Sequence, residues 1–297
     1  MTHAPDPRLS INQATIKYAP LAEALQVTAA AGIGSIGLWR DSVQAASLPE
    51  AGRLLAGSGL RFSSLCRGGF FTVPEGPARR TAMDDNRRAI EETAQLAAAG
   101  APGSVAVLVM VAGGLPQGSR DLAGARSMVG DALAELAPEA RAAGVRLALE
   151  PLHPMYAADR AVISTLGQAL DLAAPFDPAV VGVVVDTFHV WWDPDLAAQI
   201  VRAGREDRIA SYQVCDWRTP LAADVLLSRH YPGDGVIDFA AITAEVERAG
   251  YAGDVEVEIF NQEIWDTAPA TAVARTVEGF QQAVAPHLAE QPAGLRR

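Results

Sequence analysis

The sequence is poor in the residues that most often announce a chemistry. Its 297 residues hold two cysteines, Cys66 and Cys215, five histidines and a single lysine, Lys17. Two isolated thiols exclude a disulfide-stapled domain and predict a reducing setting. No apolar run approaches the roughly 18 residues of a membrane span. No apolar segment follows Met1 either, so a soluble, cytoplasmic protein is expected. No glycine fingerprint follows the first apolar run, where TIKYAPL stands instead, so a dinucleotide-binding sheet has nothing specific behind it. Positive charge is also short. A net charge of −11 argues against nucleic acid or an anionic membrane surface as partner. It leaves room for a small anionic substrate held by local arginines.

What is present is a long alternation of apolar runs and helical patterns. The runs are LSINQA, IGSIGLW, RFSSLC, SVAVLVMV, VRLALE, VVGVVVD, IASYQVC and DVEVEIF, and a helical stretch follows each. The helices expected over 77–99 and 121–143 are the longest, the second closed by Gly144. No linker interrupts the series. Eight strand–helix units predict one α/β domain, a single (β/α)8 TIM barrel, which needs about 250 residues. Its expected extent is 9–287, with a mobile N-terminal arm over 1–8 and a disordered tail over 288–297. A long loop is expected between the seventh strand and about Asp238.

The sixth run, VVGVVVDTFHVWWDPD, carries the first functional signal. Its valines show no polar alternation, so both faces of that strand should be covered, as in a parallel barrel. The run then ends in Asp186, with His189 three positions later. Asp is a common turn cap. Three other runs end in the same manner, however: Glu150 closes VRLALE, Gln213 and Asp216 lie at the end of IASYQVCD, and Glu256 and Glu258 lie in DVEVEIF. In a closed barrel the carboxyl ends of the strands converge on one face, where the sites of such enzymes lie. Asp186 is therefore read as a metal ligand or catalytic carboxylate. Arg40, Arg67, His153, Asp216, Arg218 and Arg229 all follow strand ends and are candidate substrate-binding residues. For each arginine a solvated loop charge is the competing reading. Trp39, Phe70, Trp191, Trp192, Trp217 and Trp265 are candidate pocket walls.

The segments LEPLHP, VVVDTFH, YQVCDWR, PGDGVIDF and VEVEIF, in this order, resemble the sugar phosphate isomerase/epimerase family with the xylose isomerase-like barrel. The resemblance spans roughly residues 9–285. It implies one divalent metal ion held by the carboxylates ending strands five, six and eight and by a side chain of strand seven. Those positions are Glu150, Asp186, Glu258 and Gln213. It also implies that His189 contacts substrate, and that Glu150 and Glu258 are a catalytic pair exchanging protons with carbon through an enediolate. Many relatives carry histidine where Gln213 stands. An amide oxygen is a competent hard ligand, and an all-oxygen set favours Mn²⁺ or Mg²⁺ over Zn²⁺ or Co²⁺.

The expected function is a metal-dependent isomerase or epimerase of a keto sugar, an inosose or a related hydroxy carbonyl compound. Its partner would be a small sugar or polyol ketone, with a homo-oligomer left open. A dehydratase on the same substrate class and a non-catalytic sugar-binding barrel are the alternatives. A repair endonuclease of the wider superfamily needs a histidine-rich multi-zinc site and a basic face, which this composition opposes.

Overall fold

Apolar runs without polar alternation bury both faces, and eight of them close here into one parallel barrel. The structure, a computed structural model, describes residues 4–289. Its strands are β1 (Leu9–Asn12), β2 (Ser35–Trp39), β3 (Arg61–Gly69), β4 (Val107–Val111), β5 (Arg146–Glu150), β6 (Val181–Asp186), β7 (Ile209–Val214), β8 (Asp216–Trp217), β9 (Arg229–His230) and β10 (Val255–Val257). The barrel runs β1-β10-β7-β6-β5-β4-β3-β2, while β8 and β9 pair antiparallel outside it.

Helices cover the outside. Those expected over 77–99 and 121–143 are Pro77–Ala99 and Leu122–Ala143, the second continuous through Pro138. Asp121 starts it by accepting from the Gly124 N–H at 2.8 Å, and Gly144 ends it in a left-handed conformation. The main core lies between strands and helices and includes Leu38, Phe62, Leu133, Val183 and Phe280. A second, smaller core fills the barrel itself, from Cys66, Val107, Val109, Ala148 and Val184.

Three local departures from the sequence pattern shape the site. β1 stops at Asn12 because the Asn12 side chain accepts from the Ala14 N–H at 2.9 Å, which starts a 3₁₀ turn over Gln13–Ile16. The last barrel strand ends at Val257, so Glu258 stands one residue beyond it. The loop expected after the seventh strand contains the β8–β9 hairpin, and this pairing carries Arg229 back over the barrel.

Asp216 holds that hairpin together. Its carboxylate accepts from the backbone N–H groups of Gly233 at 2.9 Å, Gly235 at 2.8 Å and Ile237 at 3.0 Å. At the amino end of the barrel, Arg8 is buried and pairs with Glu247 at 2.6 Å, so the inner end of the expected arm is anchored. Residues 1–3 of that arm, and the expected tail from 290 onward, lie outside the described residues. Among the described residues no helix is long and apolar enough to cross a membrane.

Candidate active site

Glu150 ends β5, Asp186 ends β6, Gln213 lies in β7 and Glu258 follows β10, and all four are buried. Register brings them together: Asp186 is the strand neighbour of Gln213, and Gln213 that of Glu256. Asp186 then caps the short helix Thr187–Val190, its Oδ1 accepting from the Phe188 N–H at 2.8 Å. That turn lifts His189 over the barrel. Glu150, Asp186 and His189 each offer a ligand atom, and these atoms lie within 4.8 Å of one another. The capping reading of Asp186 therefore holds for Oδ1, while Oδ2 faces Arg229 and the rest of the group.

Arg229 occupies the centre of the group. Its Nη2 donates to Asp186 Oδ2 at 2.9 Å and lies 2.9 Å from His189 Nε2. Its Nη1 lies 3.2 Å from Glu258 Oε2. The guanidinium is fully buried, with the rings of Phe188 and Phe260 at 4.6 Å and 5.5 Å. His189 Nδ1 meanwhile accepts from the His153 N–H at 3.2 Å. Both imidazole nitrogens therefore face donors. Burial, then the charge of Arg229, holds the His189 pKa well below the usual histidine range.

One arginine does not balance three buried carboxylates. Burial, followed by the charges of Asp186 and Glu258, pushes the Glu150 carboxyl well above the usual range. Burial likewise raises Glu258 to about 7, with Arg229 opposing. Gln213 donates through Nε2 to Glu256 at 3.1 Å, while its Oε1 is buried without a partner. A buried amide oxygen left unpaired is costly. Surplus buried negative charge beside an orphaned carbonyl oxygen is the arrangement a hard divalent cation satisfies. The cluster of Glu150, Asp186 and His189 has the spacing to hold one cation, and the unpaired Gln213 oxygen is a further donor of the kind such an ion takes.

In front of this group lies a cavity of about 790 Å³, lined by Glu150, His189, Arg229 and Glu258 among others. This is the size range of small-molecule sites. Arg67 lines it, as do Trp39, Phe70 and Trp265 of the expected walls.

Other candidates go elsewhere. Arg40 is buried against Glu92 at 2.6 Å and Asp85 at 2.8 Å and borders a separate, smaller cavity. Arg218 lies at the surface beside Glu263 at 3.1 Å. Asp216 is consumed by the hairpin. His153 stacks against Trp192 and Trp217 and supports His189 through its backbone rather than lining the cavity. For these four the strand-end rule did not place the side chain on the cavity, because a polar residue past a strand end is as easily satisfied by neighbouring protein as by a ligand.

Sequence reasoning missed Gln13, Lys17 and Arg160, which also line the cavity. Gln13 directly follows β1, so the rule applied to the later strands could have found it. Arg160 lies ten residues past Glu150 and carries no such signal.

A parallel eight-stranded barrel with acidic residues at the carboxyl ends of its strands has the architecture of a barrel enzyme. The chain belongs to the xylose isomerase-like TIM barrel family, whose model matches residues 25–283. A solved protein from Sinorhizobium meliloti 1021 is 48% identical with a TM-score of 0.88, over 93% of this chain and 98% of that one. The IolI protein, solved with a zinc atom, shares the fold at 20% identity and a TM-score of 0.80, over 95% of this chain and 99% of that one.

Among curated proteins, 3-dehydroshikimate dehydratase of Pseudomonas aeruginosa is 34% identical over 148 residues, 48% of this chain and 22% of that protein. Inosose isomerase of Bacillus subtilis is 28% identical over 145 residues, 48% of this chain and 50% of that protein. The chain thus matches about a fifth of the first relative's length and half of the second's.

Proposed function

We propose that the protein transfers a proton at the carbon next to the carbonyl of a small hydroxy ketone, as an isomerase or epimerase. The observation that carries this reading is the convergence of Glu150, Asp186 and Glu258, all buried, with His189 beside Glu150 and Asp186 and a buried Gln213 oxygen left without a partner. A divalent ion bound by Glu150, Asp186, Gln213 and Glu258 would polarise a substrate carbonyl and lower the cost of removing the adjacent proton.

Glu150 makes no ion pair among the described residues, and burial together with the charges of Asp186 and Glu258 raises its proton affinity, as a general base requires. Glu258 is raised to about 7 by burial, with Arg229 opposing and holding it in place. The two form the acid/base pair, and His189 holds a substrate oxygen or passes a proton between oxygens.

The test is turnover of inosose-type ketones in D₂O with Mn²⁺ or Mg²⁺ present. Deuterium should appear at the carbon next to the carbonyl, and Glu150→Gln should abolish its uptake, since an amide is no base at neutral pH. Turnover without label would mean a hydride shift and would overturn the reading.

A dehydratase is the second reading, favoured by the name shared by two relatives at 34% and 32% identity. The same proton is removed by Glu150, and a hydroxyl on the next carbon then leaves as water, taking a proton from Glu258. An unsaturated product absorbing in the ultraviolet, with no isomer formed, selects this outcome.

A further inference from the structure

The cavity in front of Glu150 has more positive charge on its walls than the carboxylates of the site use. Lys17, Arg67 and Arg160 all line it. Among the described residues none of the three has a carboxylate partner. They rest on aromatic faces instead: Lys17 Nζ is 4.6 Å from the centroid of Trp265, and the guanidinium carbons of Arg67 and Arg160 are 4.3 Å and 5.5 Å from those of Phe70 and Tyr156. Elsewhere in the chain some arginines do collect carboxylates. Arg87 alone meets Asp84, Glu135 and Glu139.

Acceptors are not scarce, since Asp41 and Asp224 line the same cavity without pairing with these cations. Arg67 is half-buried, and burial lowers its pKa, with Cys66 and Asp41 opposing and Arg160 adding to the shift. An anion entering this cavity would meet guanidinium groups that no carboxylate already holds.

Charge balance points the same way. With a dication in place, the ion and Arg229 together neutralise Glu150, Asp186 and Glu258. The wall then carries three cations against two carboxylates, in a chain whose net charge is −11. Gln13 adds an unused donor. It lines the cavity and is buried, its Oε1 accepting from the Trp39 N–H at 3.3 Å while its Nε2 has no partner.

We propose that Arg67 and Arg160 form a subsite for an anionic oxygen group, a carboxylate or a phosphate ester, carried by the hydroxy ketone that reaches Glu150. The substrate class is then an acidic hydroxy ketone rather than a neutral sugar or polyol ketone, with Lys17 and Gln13 supplying further donors. Planar guanidinium forks match both groups bidentately. This inference rests on the hydroxy-ketone reading given above.

The test is calorimetric titration of the metal-loaded full chain with three probes: 3-dehydroshikimate, which carries a carboxylate, fructose 6-phosphate, which carries a phosphate, and neutral scyllo-inosose. At least one anionic probe should bind ten times or more tighter than inosose, and which one does so identifies the group. Arg67→Ala and Arg160→Ala should each weaken that probe roughly 10- to 100-fold and leave inosose unchanged. If Arg67→Ala fails to fold by circular dichroism, Arg160→Ala decides.

Equal affinity for all three probes in the unaltered chain, or an equal loss for all three in the variants, overturns the subsite. The same samples followed in D₂O separate the two readings. Arginine-dependent binding without label at carbon keeps the subsite and removes the proton transfer. Label in inosose with no arginine dependence does the reverse.

Discussion

Glu256 and Glu258 are two residues apart on one stretch of chain, point into the same barrel and are both buried, yet they live in opposite circumstances. At the barrel floor Glu256 accepts from Asn12 Nδ2 at 2.6 Å, Ser63 at 2.5 Å, Ser64 at 2.9 Å and Gln213 Nε2 at 3.1 Å. Gly37 leaves the space it fills, since a Cβ there would stand 2.4 Å from Glu256 Oε2. At the mouth, Glu258 shares one guanidinium with Asp186, and Glu150 has no cation of its own. Both regions bury carboxylates, and only the floor satisfies them from within. A buried charge left short of partners raises the cost of the folded state unless a ligand completes it. The mouth, where satisfaction is incomplete, is where chemistry is expected.

The largest effect that would break this contrast belongs to Asp186→Ala. Mn²⁺ affinity by calorimetry should fall more than about 100-fold, beyond the 10–100-fold typical of outer hydrogen-bond partners. Retention of full affinity would remove the metal assignment at the mouth.

Glu256→Gln tests whether the floor serves the mouth. Glu256 accepts from the amide nitrogen of Gln213 and so turns the amide oxygen away from itself. With an amide in its place, some of the four donors lose their acceptor and Gln213 can flip. Metal affinity should drop roughly 10-fold, and urea unfolding should show about 1–3 kcal/mol of lost stability. Lost stability with unchanged affinity would make the floor purely structural.

The smallest effect concerns pH. Glu258 has its folded-state pKa raised from 4.5 to about 7, so the native state binds a proton more tightly than the unfolded chain does. Metal-free stability should therefore be greatest below pH 4.5 as far as this group is concerned, and should decline as pH rises toward 7. The decline is on the order of 1 kcal/mol or more, and saturating Mg²⁺ should reverse it. Denaturant melts at two pH values, with and without the ion, read this directly. A metal-free decline that persists unchanged with Mg²⁺ would detach these carboxylates from the ion.

How much of this was legible beforehand follows from range. The unbroken valines before Asp186 are a local pattern, and they suffice to place a doubly covered strand and its terminal carboxylate. The same pattern marks Glu150, Gln213 and Glu258, and alternation of strands with helices suffices for the barrel. These features depend on residues within one element, whose periodicity the backbone geometry dictates.

What only the tertiary structure decided is partnership. Arg229 reaches Asp186 and His189 because Asp216 folds the β8–β9 hairpin back over the barrel. Arg40 is lost to the cavity because Asp85 and Glu92 reach it first from the helix Pro77–Ala99. Arg67 near the end of β3 and Arg160 in the loop after β5, by contrast, come to face one cavity and pair with none of the carboxylates that line it. A charged side chain takes whichever opposite charge the packed chain brings within a few ångströms. That distance is set by loop paths and helix docking, and no spacing along the sequence encodes it.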